Sequence, residues 1–193
     1  MGAEYELKFR ADPETQAAVM AGYPGCWETL NMETTYYDTP SGALSARKYT
    51  LRRRLENGSS VCTLKTPGKE NLRGEWQVPG EDIRAAVSEL CKLGCPSDLA
   101  AMCEEGLIAI CGAQFTRQAL LLELPGCTAE LALDRGILFG GKGEMPLGEI
   151  ELELKGGSRE ALDSFARDFA AKYALKNEEK SKFARALALY KEV

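Results

Sequence analysis

From Glu4 to Phe9, charged and bulky residues alternate: Glu4, Glu6 and Lys8 interleave with Tyr5, Leu7 and Phe9. Side chains two apart in an extended chain share a face, so this run predicts a strand with one charged and one apolar side. The same period recurs along the chain. A strand over about 26–38 stops at the turn Thr39-Pro40-Ser41-Gly42. Strands over about 48–56 and 59–66 flank Asn57-Gly58, a strong hairpin signal. Another covers about 72–78, and further strands are expected at about 107–111, 114–124, 127–134, 136–139 and 148–155, with a loop over 140–143.

Elsewhere the period is helical. Asp12-Pro13 reads as an N-cap and first helical residue, opening a short helix to about residue 20. The stretch 81–105 reads as irregular helix broken at Gly94 and Pro96. Leu162, Phe165, Ala166, Phe169, Ala170 and Tyr173 recur at helical spacing, and a last helix over 178–191 carries Phe183, Leu187 and Tyr190. No repeat or linker divides the chain, so 1–193 is expected to form a single domain.

Read strand by strand, one face collects charge. It holds Glu4, Glu6 and Lys8, then Arg52 and Arg54, Lys65, Arg73 with Glu75, Arg117, Glu130 with Asp134, and finally Glu149, Glu151 and Glu153. For any single strand this is the alternation of a sheet with one solvated face. As a set it reads differently. Ser and Thr are scarce at these positions, and the Glu149-Glu151-Glu153 row would repel itself unless cations neutralise it. The fold class expected is therefore α+β: a closed, eight-stranded antiparallel β-barrel turned inside out, with a charged lumen and helices around its apolar outside. About eight strands enclose room for one small ligand. Carboxylates bind hard divalent cations and guanidinium or ammonium groups bind phosphate oxygens, so the lumen suits a metal-bound polyphosphate.

Composition narrows the chemistry. The chain has no histidine, which excludes His bases, Ser-His-Asp triads and His-ligated zinc. Its seven cysteines contain no CxxC pair, so reduced thiols and a cytoplasmic protein are expected. A net charge of −5 argues against a nucleic-acid partner, although local charge can still bind an anion. No signal segment is visible, and no stretch approaches the roughly 20 apolar residues of a membrane helix.

These blocks resemble a known family. Glu4-x-Glu6-x-Lys8 is similar to the ExExK signature of the CYTH domains, the triphosphate tunnel metalloenzymes. Tyr36-Tyr37-Asp38-Thr39-Pro40, Leu51-Arg52-Arg53-Arg54, Thr63-Leu64-Lys65, Arg73-Gly74-Glu75-Trp76, Arg117, Glu130 to Gly136, Glu149 to Lys155 and Lys180-Ser181-Lys182-Phe183-Ala184-Arg185 follow in the family's order. The spellings most resemble bacterial inorganic triphosphatases. The resemblance implies metal-dependent hydrolysis of inorganic triphosphate, with Mg2+ or Mn2+ as cofactor and a monomer or homodimer. It implies that Lys8, Arg52, Arg54, Lys65, Arg73, Arg117 and Lys182 bind phosphates. Glu4, Glu6, Glu149 and Glu151 would hold metal, with Glu4, Glu6, Lys8 and Glu153 catalytic and Glu4 or Glu153 accepting the proton of the attacking water. Glu75, Glu130 and Asp134 would support them; Glu130 and Asp134 alternatively pair with lumen arginines, and Lys182 alternatively lies on the surface. Thiamine or nucleoside triphosphates remain alternative substrates, and a non-catalytic polyphosphate- or nucleotide-binding module an alternative class. A class IV-type adenylate cyclase is disfavoured by the missing histidine.

Overall fold

The computed structural model describes residues 5–67 and 74–191. Glu4 and Arg73 lie outside the described residues. Among the described residues nine strands, β1 (Glu6–Arg10), β2 (Glu28–Asp38), β3 (Thr50–Glu56), β4 (Ser59–Thr66), β5 (Gly74–Pro79), β6 (Ile108–Leu124), β7 (Cys127–Gly140), β8 (Gly143–Gly157) and β9 (Lys176–Asn177), form one antiparallel sheet in the order β5-β4-β3-β2-β6-β7-β8-β1-β9. Among the described residues six helices accompany it: α1 (Pro13–Gly22), α2 (Ala43–Ala46), α3 (Ile83–Lys92), α4 (Leu99–Cys103), α5 (Arg159–Lys172) and α6 (Lys182–Lys191). Asp12 caps α1 as its sequence implies, accepting from Thr15 N at 2.8 Å. Asp38, buried at the end of β2, accepts from Leu44 N at 2.9 Å and Thr39 N at 2.7 Å, which turns the chain into α2.

The α+β class and the two-faced strands stand. The sheet's outer face is apolar and helix-covered. Phe9, Leu131, Leu133, Ile150 and Leu152 pack under α1 and α5. Leu51 and Leu64 pack with Leu44, Ile83, Leu90 and Leu99 from α2, α3 and α4. Closure is a different matter. β5 and β9 are the sheet's edges, and no ladder joins them among the described residues. The sheet nonetheless curls, because Lys8 on β1 and Lys65 on β4, near its two ends, line one cavity. The ninth strand has only two residues and pairs with β1.

Two boundaries differ from the sequence reading, and glycine is the reason. β6 and β7 are continuous where breaks were expected near 112 and 135. A Cβ at Gly136 would lie 2.1 Å from Gln114 O and 2.5 Å from Phe115 Cα. The glycine lets neighbouring backbones approach inside the strand rather than ending it. The expected loop at 140–143 is a tight hairpin whose strands pair up to Gly140 and Gly143.

Phe169 on α5 shows how the outer face is held. It is buried among Phe9, Tyr23, Phe165 and Tyr173, with ring centroids 5.1–6.4 Å away. Phe169→Ala should cost about 3–5 kcal/mol through lost burial and the cavity left behind, read as a shift in urea midpoint at unchanged slope.

Candidate active site

Strand register sets the site in rows across the concave face. Glu6 on β1 lies opposite Glu153 on β8, which lies opposite Glu130 on β7. The next row pairs Lys8 with Glu151, and the third runs Arg10, Glu149, Asp134 and Arg117 across β1, β8, β7 and β6. From the other arm of the curl, β3 contributes Arg52 and Arg54 and β4 contributes Lys65. α6 closes one side, with Ser181, Lys182 and Phe183 in the wall. The chamber between these groups has a free volume of about 100 Å³, and a neighbouring chamber of about 270 Å³ shares Arg52, Arg54, Arg117 and Glu153 with it. A larger cavity of about 1020 Å³ lies outside this lumen; Arg10, Glu178 and Arg185 line it.

The inner row is an ion cluster. Asp134 and Glu149 are fully buried, and Glu151 and Lys182 nearly so. The Lys182 ammonium lies 2.8 Å from Asp134 Oδ2 and 2.6 Å from Glu151 Oε1. It also contacts Glu149 Oε2, as an ion pair without hydrogen-bond geometry. Arg117 grips Asp134 with two donors, at 2.7 and 2.8 Å, and reaches Glu151 as well. Arg185 pairs with Glu149. Three carboxylates therefore meet three cations. Burial alone would lower Lys182 and Arg117, yet Glu151 and Asp134 hold both well above their ordinary values. Burial alone would raise Glu151, but Lys182 and Arg117 hold it far below the carboxylate range. For Glu149 burial wins, helped by Glu151, and its carboxyl is pushed up. The row of like charges on β8 is thus neutralised by the protein's own cations.

The outer row is looser. Glu6 Oε1 sits 3.2 Å from Lys8, and Lys155 lies 2.9 Å from Glu153 and 3.6 Å from Glu130. All three carboxylates are partly exposed. Lys65 pairs with buried Glu75 at 3.0 Å. Arg52 and Arg54 differ from every other lumen cation. Among the described residues no carboxylate lies in ion-pair distance of either, and the Nε of each is buried without a partner. Burial, and then Arg52, bring the Arg54 guanidinium down to about 10.

The structure therefore brings together Glu6, Lys8, Arg52, Arg54, Lys65, Arg117, Glu151, Glu153 and Lys182 around one chamber. Glu130 lies beside the neighbouring chamber. Glu149 and Asp134 sit behind it in the ion cluster, with Glu75 behind Lys65. Sequence reasoning missed Arg185, Glu178 and Gln16. Arg185 lies one helical turn after Lys182, a spacing that places both on one face. Glu178 accepts from Arg10 at 2.7 Å and lies 3.5 Å from Arg185. The buried Gln16 amide donates to Asp134 O and Glu149 O, tying α1 to this row; nothing in its local sequence marks it.

The donor set can be tested against a divalent cation. Asp134, Glu149 and Glu151 offer oxygens within 4.8 Å of one another, but the Lys182 ammonium lies among them, and Arg117 and Arg185 engage them further. That triad does not fit a metal alongside Lys182. The outer carboxylates of Glu6, Glu153 and Glu130 are partly exposed, oxygen-only and side by side in register, the donor chemistry of a hard cation, although among the described residues only the inner triad has its oxygens gathered together.

Known proteins share this architecture. The CYTH domain family model matches residues 2–187. The chain is 31% identical over 142 residues to the inorganic triphosphatase of Haemophilus influenzae, a match covering 72% of this chain. It spans only 40% of that relative's length. HpAC1 from Hippeastrum, described as having a dominant triphosphatase activity, superposes with a TM-score of 0.66 at 17% identity, over 99% of this chain and 96% of that one. PH1819 from Pyrococcus horikoshii superposes with 0.64 at 22%, over 96% and 98%. At such identities these two show a shared fold.

The cluster makes stability depend on acid in a defined sense. Glu151 titrates lower when folded than the roughly 4.3 of an unfolded glutamate, so its contribution is present above that value and lost as pH falls through the folded one. Wild type should lose stability steadily below about pH 4. Glu151→Gln should flatten that slope while costing about 3–5 kcal/mol at pH 7, because Lys182 and Arg117 each lose a buried partner. Urea unfolding of both proteins from pH 7 to acid checks it.

Proposed function

The chain belongs to the CYTH domain family, and from that premise we propose that it hydrolyses a small-molecule triphosphate, inorganic triphosphate foremost, to diphosphate and phosphate. The reading treats 1–193 as one cytoplasmic tunnel domain acting on a small molecule rather than on nucleic acid or membrane. One observation carries it: Arg52 and Arg54, two arginines with no carboxylate in ion-pair distance among the described residues, present buried donors beside a chamber whose other wall is carboxylate. Unpaired guanidinium groups at a low-dielectric site call for an anion, and their geometry matches phosphate oxygens. The chamber is narrow, and its aromatic walls, Tyr36 and Phe183, pack on each other with centroids 5.0 Å apart. That favours a bare phosphate chain over one bearing a base or thiamine.

The residues divide the work. Arg52 and Arg54 bind and orient the phosphate chain, with Lys8 and Lys65 on either side. Glu6, Glu153 and Glu130 would hold Mg2+ or Mn2+, a choice favoured by oxygen donors in a chain without histidine. A divalent cation there supplies charge neutralisation on the phosphate oxygens. Glu6 or Glu153 takes the proton of the attacking water. Glu4 and Arg73, outside the described residues, keep the roles their motifs imply, metal binding and phosphate binding. Phosphoryl transfer needs positioning and charge stabilisation more than covalent chemistry, which the two opposed walls provide. Glu149, Glu151 and Asp134 fix Arg117 and Lys182 at the chamber's inner end.

Phosphate release should be seen with inorganic triphosphate in Mg2+ or Mn2+, exceed that from ATP and thiamine triphosphate, and stop in excess EDTA, with no cyclic AMP formed. Full release in EDTA would overturn the metal requirement. Arg52→Ala or Arg54→Ala should weaken triphosphate binding roughly 10- to 150-fold by calorimetry, a charge-assisted contact being worth about 1.5–3 kcal/mol. The fold should persist, because either change relieves the repulsion between the two arginines. Affinity within about twofold of wild type would refute their role.

A further inference from the structure

The inner triad has the spacing of a cation site, three carboxylate groups whose oxygens lie within 4.8 Å of one another. What lies among them is the side chain of Lys182. An ammonium has three donors and no acceptor, and here it makes three ion pairs, one to each carboxylate. Its charge adds to that of Arg117 and Arg185, which pair with the same acids and also reach Glu130 and Glu178 at the cluster's margins.

We propose that Lys182 is a tethered cation that takes the place of a divalent ion in the Asp134-Glu149-Glu151 triad, confining any metal to the outer carboxylates. A divalent ion entering beside Lys182 would add two positive charges to three acids that already meet three cations, at a large cost in a buried site. Expelling Lys182 instead would unseat α6. Lys182 is its first residue, and α6 is anchored by buried Ala186 and by Phe183 and Leu187 against Met32, Tyr36, Phe115 and Leu138. The Phe115 ring, 5.4 Å from the ammonium, adds a further contact that favours the cation in place. The inner site is thus built for a cation and filled by the chain itself. This inference rests on the proposed function only in naming where metal otherwise goes.

Mn2+ binding, followed by electron paramagnetic resonance on substrate-free protein, tests it. Lys182→Ala should bind one more equivalent of Mn2+ than wild type, and Lys182→Ala/Asp134→Asn should lose that added equivalent. Asp134→Asn in an otherwise wild-type chain should leave the count unchanged. Mn2+ should also raise the Tm of Lys182→Ala more than that of wild type. If Lys182→Ala is unfolded without metal, refolding on Mn2+ addition supports the proposal, and Lys182→Met provides a second variant for the count. Equal counts in wild type and both Lys182 variants, or loss of an equivalent on Asp134→Asn alone, overturns it. A wild type that binds no Mn2+ would refute the outer metal site, while the gain in Lys182→Ala would still decide the role of Lys182.

Discussion

Everything in the lumen depends on the neutralisation of three buried carboxylates by three buried cations. Removing such groups from water is costly, and their mutual attraction returns that cost only when geometry and pairing are complete. Here pairing is nearly complete: Arg117 bonds Asp134 with both arms of its fork, and the Lys182 ammonium spans all three acids. The cluster is weak evidence for stability as such. Its consequence is positional. It fixes α6 against the inner end of the curled sheet, where Lys182 and Phe183 become wall. It also takes Arg117 and Lys182 out of free competition for an anion.

That saturation leaves the rest of the lumen unequal. The outer acids meet Lys8 and Lys155 in partly exposed pairs that solvent screens. Across the chamber Arg52 and Arg54 have no acid at all among the described residues. A ligand bringing both negative charge and a hard cation satisfies both walls at once. A chain of net charge −5 can therefore carry an anion site, because field is set by local arrangement within low-dielectric walls.

Most of this was legible in the period-2 alternation. It placed Glu6 with Lys8, Arg52 with Arg54 and the β8 acids on a common face, and the outer apolar face followed from the same pattern. What alternation cannot carry is partnership. That Lys182 meets Glu151 and Arg185 meets Glu149 is set by where α6 docks, so the β8 row read as three repelling charges in need of a metal. Strand continuity was misread as well. Breaks were expected near 112 and 135, whereas the lack of a Cβ at Gly136 lets β6 and β7 run on in close contact. The two-residue β9 and four-residue α2 are too short to leave any periodic signal. The closed barrel was an inference from charge; the hydrogen-bonded order itself stops at β5 and β9.

Arg54 shows what the arginine wall costs the fold and why an anion matters to it. Burial and the neighbouring Arg52 bring its guanidinium down to about 10. A group titrating at that value is still almost fully charged at neutral pH, so the protein holds two like charges close together with little solvation. Deprotonation does not relieve this, and Glu151 offsets it only in part, since no described carboxylate lies in ion-pair distance. A bound polyanion does, by supplying the acceptors that the buried Nε atoms lack. Binding thus relieves the repulsion between the two arginines, and a ligand that binds only the folded state stabilises it by mass action. The inner cluster behaves oppositely, since its charges are already matched and an added ion gains little. The contrast between a matched inner end and an unmatched outer wall sets where an anion settles along the lumen.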